Sequence, residues 1–230
     1  MQYRSLNQNA PSVSFKEAVI NGLAPDNGLY FPTEIPQLEP TFIENLEDFS
    51  NEAISFKVIK PFVNDEIPDI ELKKIIHETL CFDFPTIHIT NTVFSLELYH
   101  GPTMAFKDVG ARFMSRCLGY FNREKKDNTN TVLVATSGDT GGAVAQGFYN
   151  TPGIKVTILY PTGKVSDIQE KQLTTLGQNI TALEVEGSFD DCQAMVKQAF
   201  ADEELNKRVN LTSANSINIA RLIPQSFYYH

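Results

Sequence analysis

Apolar runs of strand length alternate with amphipathic stretches from about residue 93 onward, a rhythm that the first third of the chain lacks. The run 131–136 (Thr-Val-Leu-Val-Ala-Thr) reads as a buried strand, as do 154–160 and 180–186, and 93–99 precedes them as another. Between them, apolar residues at three- and four-residue spacing predict helices over 107–121, 143–149, 166–176 and 189–200. The capping box Ser166-Asp167-Ile168-Gln169 opens the third of these and Gly177 ends it. The fourth should bury Phe189, Cys192, Val196 and Ala199, with Asp190 and Asp191 at its positive end. Such alternation predicts an α/β fold, mainly parallel sheets with helices on both faces.

The earlier part is less regular. Residues 1–6 alternate weakly, as a strand does, and Ser14-Phe15-Lys16-Glu17 is a capping box for a short helix with the stripe Phe15, Ala18 and Val19, ending near Gly22. Pro25-Asp26-Asn27-Gly28 is a turn before Leu29-Tyr30-Phe31-Pro32. Residues 33–70, rich in proline and acidic side chains, predict small helices wrapped over a larger body, and 71–80, with Leu72, Ile75, Ile76 and Thr79, a clearer amphipathic helix. Near the other end, a short strand at 209–212 leads into a helix that Pro224 should kink or shorten.

The composition, 42% hydrophobic and 20% charged over 230 residues, is that of a globular protein. A net charge of -9 leaves no basic surplus to neutralise phosphates and argues against nucleic acid as a partner; the lysine pairs at 73–74 and 125–126 read as solvated charges. No run of 18 apolar residues and no basic-then-apolar leader suggests a membrane or secretion, so the expected location is cytoplasmic. Cys81, Cys117 and Cys192 lack metal-ligand spacing and read as buried thiols in a reducing compartment. His77, His88 and His100 share no ligand spacing, so no metal is expected.

Three stretches carry chemistry. In Leu98 through Phe106-Lys107-Asp108, helical spacing from Lys107 meets Gly110, Ala111, Met114 and Leu118, which puts the ammonium on the apolar face. The opposite face reads Asp108, Arg112, Ser115 and Arg116, with Asp108 and Arg112 as an i,i+4 pair, and the small residues Gly110 and Ala111 leave room for a flat ring. A buried amine must be paired, neutralised or converted, for example to an imine with a carbonyl cofactor, although a lysine in a first helical turn also reaches solvent by extension. The second stretch, Thr136-Ser137-Gly138-Asp139-Thr140-Gly141-Gly142, links a buried strand to a helix and offers backbone N–H groups to an anion. It fits neither the dinucleotide nor the nucleoside-triphosphate glycine pattern. The third, Ser213-Ala214-Asn215-Ser216-Ile217-Asn218 with Arg221, clusters donors and acceptors at a helix start.

Together these stretches resemble the threonine synthases, pyridoxal-phosphate enzymes of the tryptophan-synthase-β-like fold (fold-type II). The likeness is carried by Val13 through Val19 with Gly28-Leu29-Tyr30-Phe31-Pro32, by Leu96-Glu97-Leu98-Tyr99-His100-Gly101-Pro102-Thr103 through Lys107-Asp108, by Ala135 through Gly141, and by Ser213 through Asn218, in order along the whole chain. The resemblance implies pyridoxal 5'-phosphate as cofactor, held by Lys107 as an internal aldimine, with Lys107 also moving protons. It implies conversion of O-phospho-L-homoserine and water to L-threonine and phosphate, the last step of threonine biosynthesis. By the same resemblance Ser137, Gly138, Asp139 and Thr140 bind the substrate carboxylate, while Ser213, Arg221, Asn215 and Asn218 lie near the substrate phosphate or the cofactor ring. The implied domains are an N-terminal region 1–84, the start of the large cofactor domain 85–125, a small α/β domain 126–206, and a return to the large domain at 207–230. The family's members are longer, with a glycine- and asparagine-rich phosphate cup beyond this point, so a partial chain of unknown oligomeric state is expected.

Two alternatives stay open at this level. One is a serine/threonine dehydratase or cysteine synthase, which usually has Asn where Asp139 stands and lacks the pattern at 15–32. The other is a non-catalytic α/β ligand-binding module in which Lys107 is structural.

Overall fold

The computed structural model describes residues 1–123 and 129–229, with the side chain of Lys207 left aside. The lysine pair expected at 125–126 and His230 fall outside the described residues. In chain order the elements are β1 (Tyr3–Ser5), α1 (Phe15–Asn21), β2 (Tyr30–Pro32), α2 (Pro40–Glu44), α3 (Asn51–Val63), α4 (Asp69–Thr79), β3 (Thr86–Thr90) and β4 (Val93–Leu96). They continue with α5 (Lys107–Asn122), β5 (Asn130–Ala135), α6 (Asp139–Phe148), β6 (Ile154–Pro161), α7 (Asp167–Thr174), β7 (Ile180–Val185), α8 (Phe189–Ala201), α9 (Glu203–Val209), β8 (Leu211–Thr212) and α10 (Ile219–Leu222).

The centre is a four-stranded parallel sheet in the order β7-β6-β5-β8. Its register aligns Ile180, Val156, Val132 and Thr212 across all four strands. Alternate residues feed two cores: Val132, Val134, Val156 and Ile158 join the large one, whereas Leu133, Ala135 and Leu159 pack with Cys192 and Val196 of α8. Burial on both faces explains why these strands read as continuous apolar runs. Strand β8 belongs to this sheet, pairing Leu211 and Thr212 with Thr131 and Val132 of β5.

Helix α5 is the axis of the larger core. The sequence assigns it one inward stripe; the structure buries it nearly all round, with Asp108, Ser115 and Asn122 inside as well as Val109, Phe113 and Met114. The expected Asp108–Arg112 pair is not formed. Asp108 is 1% exposed and accepts from the Thr103 backbone N–H (2.9 Å) and hydroxyl (2.5 Å), while Arg112 donates to the Glu78 carbonyl at 2.6 Å. The polar face of α5 is thus covered by α4 and by the preceding loop, which supply partners that helical spacing alone cannot reveal. Ala111 is fully buried beside Gly147 of α6, so it leaves no room for a ring. Gly110 brings α5 against α10: a Cβ there would lie 2.8 Å from the Arg221 carbonyl oxygen.

Several local expectations differ in extent. Helix α6 begins at Asp139 because the Thr136 hydroxyl accepts from the Gly138 (3.0 Å) and Gly141 (2.8 Å) N–H groups and draws the glycines into the first turn. Pro224 ends α10 after Leu222 and opens a 3-10 segment, Ile223–Tyr228, where its missing N–H costs nothing. Strand β3 and helix α9 were not anticipated, and Cys81 is exposed, whereas Cys117 and Cys192 are buried as expected. Burial pushes the Cys117 thiol far above its ordinary range, so it is inert.

The N-terminal region docks onto α5 through Phe15, whose ring meets Phe121 edge-on at 6.1 Å. Its helix start is capped twice. Ser14 and Glu17 form the anticipated box, and the Glu66 carboxylate accepts from the N–H groups of Phe15 (2.8 Å) and Lys16 (2.7 Å). Glu66→Ala is expected to cost about 1–2 kcal/mol in urea unfolding and to speed amide exchange at Phe15 and Lys16, since two helix-end donors lose a charged acceptor. Unchanged exchange there would count against this.

Candidate active site

The first turn of α5 fixes Lys107. Asp108 reaches back to Thr103 and closes the loop that precedes the helix, so the backbone at Lys107 has little freedom. The Lys107 side chain is 23% exposed, and its ammonium lies 3.6 Å from the Asp139 carboxylate and 4.8 Å from the Phe106 ring centroid. It is therefore neither dangling in solvent nor sealed in the core. Asp139 is the first residue of α6, at the carboxyl end of β5, and parallel α/β sheets carry their ligands at that end.

The turn from β5 to α6 has the features of an anion seat. Gly138 has φ 143°, in the region open to glycine, and a Cβ on it would lie 2.5 Å from the Gln169 amide. The N–H groups of Gly141 and Gly142 are bonded to the Thr136 hydroxyl and the Gly138 carbonyl. Those of Asp139 and Thr140 find no acceptor among the described residues and stand at the positive end of α6. Gln169 donates to the other Asp139 oxygen at 2.6 Å and so holds that carboxylate toward Lys107. Sequence reading saw Gln169 only as a capping residue of α7; its reach to Asp139 depends on how α7 packs beside α6.

A cleft of about 350 Å³ opens beside Lys107, lined by Phe106, Gly110, Ser216, Arg221, Leu222 and Gln225. Arg221 is 3% exposed, donates from Nη1 to the Ala214 carbonyl at 2.5 Å, and has a buried Nε with no partner. Burial pulls its guanidinium down to about 10, against the opposing pull of Asp108, so it stays cationic at neutral pH. A buried cation with an unused donor beside an amine suits an anionic, carbonyl-bearing group.

The other residues expected around the cofactor are divided by the fold. Ser213 and Asn215 line a different cleft of about 510 Å³, with Asn21, Pro25 and Phe200, so the structure does not bring them together with Lys107. Asn218 is fully buried, and its side chain is committed to the chain itself: it donates to the Val19 and Ser213 carbonyls and accepts from the Ala220 N–H. It is the N-cap of α10. The Asp139 carboxylate cannot attract another carboxylate; only its backbone N–H can. His100 is paired with Glu97 at 2.8 Å and His77 with Glu52 at 2.7 Å.

A lysine at a helix start, facing an anion seat at the end of a parallel strand, is consistent with what known proteins show. A family profile described as "Pyridoxal-phosphate dependent enzyme" matches residues 75–222, and one described as "Threonine synthase N terminus" matches residues 2–80. The chain belongs to the pyridoxal-phosphate dependent enzyme family. Within that class its relatives are threonine synthases. It is 45% identical to that of Escherichia coli over 229 residues, all of this chain and 53% of the relative, and 40% identical to that of Saccharomyces cerevisiae, covering 99% of this chain and 48% of the relative. The crystal structure of the Escherichia coli enzyme superposes with a TM-score of 0.90 at 45% identity, covering this whole chain and 53% of that one. A pyridoxal-phosphate-bound threonine synthase from Brucella melitensis superposes with a TM-score of 0.93 at 39% identity, covering this whole chain and 50% of that one. The chain thus spans about half the length of the relatives it matches. Among the described residues, no helix is long and apolar enough to cross a membrane.

Proposed function

We propose that this chain supplies the lysine-bearing half of a threonine synthase, which converts O-phospho-L-homoserine and water to L-threonine and phosphate. The observation that carries the reading is the Lys107 ammonium, 3.6 Å from Asp139 at the β5–α6 turn, in a chain that matches threonine synthases from one end to the other. Pyridoxal 5'-phosphate, when bound, supplies an electron sink conjugated to the substrate's Cα.

The chain's own groups divide the remaining work. The Lys107 Nζ would hold the cofactor, and the same nitrogen is the group that would move protons at the substrate's Cα, Cβ and Cγ. The Asp139 carboxylate, steadied by Gln169, balances the charge on Nζ as it gains and loses protons. The free N–H groups of Asp139 and Thr140, with the Ser137 hydroxyl and the close approach permitted by Gly138, take the substrate carboxylate. Arg221 offers its unused Nε to a phosphate in the Lys107 cleft. Ser213 and Asn215 line the neighbouring cleft and Asn218 caps α10. The cytoplasm is the proposed setting, with a small-molecule substrate and neither nucleic acid nor membrane as partner.

Treating the chain with millimolar pyridoxal phosphate and then borohydride is expected to leave a pyridoxyl group on the Lys107 peptide. An unmodified Lys107 would favour a non-catalytic ligand-binding module. Joined to the C-terminal half that the relatives carry, the protein should form L-threonine from O-phospho-L-homoserine; release of 2-oxobutanoate instead would identify a dehydratase. Gln169→Ala should lower the trapped fraction at limiting cofactor about fivefold, the equivalent of about 1 kcal/mol for one lost solvent-exposed side-chain hydrogen bond. Trapping equal to the parent would remove Gln169 from the site.

A further inference from the structure

Away from Lys107, a second cleft of about 450 Å³ opens between α4, the later turns of α5 and the end of α6. Arg116 stands about 13 Å along α5 from Lys107 and about half a revolution round it, and no residue lines both clefts. The walls carry four cations, Lys74, Arg112, Arg116 and Arg123, against two carboxylates, Glu71 and Glu78. A surplus of positive charge is thus gathered into one concavity of a chain whose net charge is -9.

The two carboxylates do not saturate these cations. Glu78 takes the Arg116 Nε at 3.0 Å, and Glu71 takes the Arg123 Nη2 at 2.8 Å. Arg112 has no carboxylate within ion-pair distance among the described residues. Its Nη2 donates to the Glu78 backbone carbonyl at 2.6 Å, and its Nε is buried without a partner. Arg112 and Arg116 also stand at i,i+4 on α5, a spacing at which like charges repel. Burial, and next the charge of Arg112, pull the Arg116 guanidinium below its ordinary range. The negative end of α5 favours a cation at Arg123, but that effect fades within the last turn and does not reach Arg112, in the first half of the helix. Two adjacent half-buried guanidiniums, one of them lacking a counter-charge and holding a sealed, unused donor, leave a place for an anion.

The opposite wall is polar and uncharged. The side-chain amides of Gln146 and Asn150 and the Thr151 hydroxyl have no hydrogen-bond partner among the described residues, and the Tyr149 ring is exposed beside them. We propose that this cleft is a second ligand site, which takes a small phosphomonoester, its phosphate against Arg112 and Arg116 and its hydroxyl-bearing body against the wall at 146–151. A guanidinium fork meets two phosphate oxygens at once, and the two charges of the phosphate balance the surplus on the walls. The volume is that of an ordinary small-molecule site. A ligand held there touches α4, α5 and α6 together, and α5 and α6 carry Lys107 and Asp139 at their starts. The site is separate from the reaction proposed above and does not depend on it.

The test is titration of the full 230-residue chain with glycerol 3-phosphate, followed by amide hydrogen exchange. The expected result is saturable protection at 112–123 and 146–151. Inorganic phosphate, which has no body to meet the second wall, should bind at least threefold more weakly and leave 146–151 unprotected. Arg112→Gln should weaken glycerol 3-phosphate at least tenfold. Arg112→Lys, which keeps the charge and loses the fork, should weaken it about threefold and covers the case in which the glutamine variant does not fold. Lys197→Gln, at a cation in the cleft of Ser213 and Asn215, should change nothing. Circular dichroism checks that each variant is folded. No saturable protection in the folded chain, an affinity indifferent to both Arg112 substitutions, inorganic phosphate binding as tightly as the ester, or protection confined to 107–110 and 216–225 would each overturn the proposal. Binding at 112–123 and 146–151 in a chain whose Lys107 stays unlabelled by pyridoxal phosphate and borohydride would keep this site and sink the catalytic reading.

Discussion

Lys107→Ala is expected to abolish borohydride-trapped pyridoxal phosphate and to reduce threonine formation by about a thousandfold or more in the assembled protein, while leaving the unfolding midpoint nearly unchanged. The size follows from the two tasks assigned to one nitrogen, covalent attachment of the cofactor and proton transfer at carbon. The small effect on stability follows from position. The ammonium sits at the mouth of the cleft, and its partner Asp139 keeps the hydrogen bond from Gln169 when the amine is gone. Lys107→Arg preserves a cation opposite Asp139 but forms no imine, so it should be equally inactive, which separates charge from chemistry. Turnover within tenfold of the parent in either variant would remove Lys107 from catalysis.

The second large effect is on the fold. Asp108→Ala should destabilise the chain by about 3 kcal/mol in urea unfolding at pH 7, more than any exposed substitution. It removes a buried carboxylate that satisfies the Thr103 N–H and hydroxyl, and it takes away the negative charge that sustains the buried Arg221 guanidinium. Asp108→Asn, which keeps the shape and one acceptor, should lose less. Because Asp108 follows Lys107 directly, its loss should also let the cleft lysine wander and lower cofactor trapping. A loss below about 1 kcal/mol would show that solvent replaces those contacts freely.

Much of this was legible in the chain itself wherever the cause is local. The capping boxes at Ser14 and Ser166 act within one turn, and both are present as read. The strands at 131–136 and 154–160 announce themselves because both faces are buried, and the lysine stands out because its helical neighbours are apolar. Strand β3 was missed although Thr-Ile-His-Ile-Thr alternates strictly; the signal was there, in a segment too short and too exposed to compete with its surroundings. The polar face of α5 misled for the opposite reason. Asp108, Arg112 and Ser115 look solvated in a helical projection, yet their partners are a threonine five residues back, a carbonyl on α4 and the helix's own backbone.

The amino-acid sequence by itself determined the parallel α/β body, the lysine at a helix start and the glycine-rich turn after a buried strand, since each follows from spacing along a few turns or one strand. Only the tertiary structure decided that Lys107 faces Asp139, that Gln169 holds that carboxylate, and that Arg221 shares the lysine's cleft while Ser213 and Asn215 turn to another. Those pairings join residues 30 or more positions apart, or split neighbours across one loop. They depend on which elements the sheet order and the close α5–α10 approach place side by side, which periodicity along a chain does not encode.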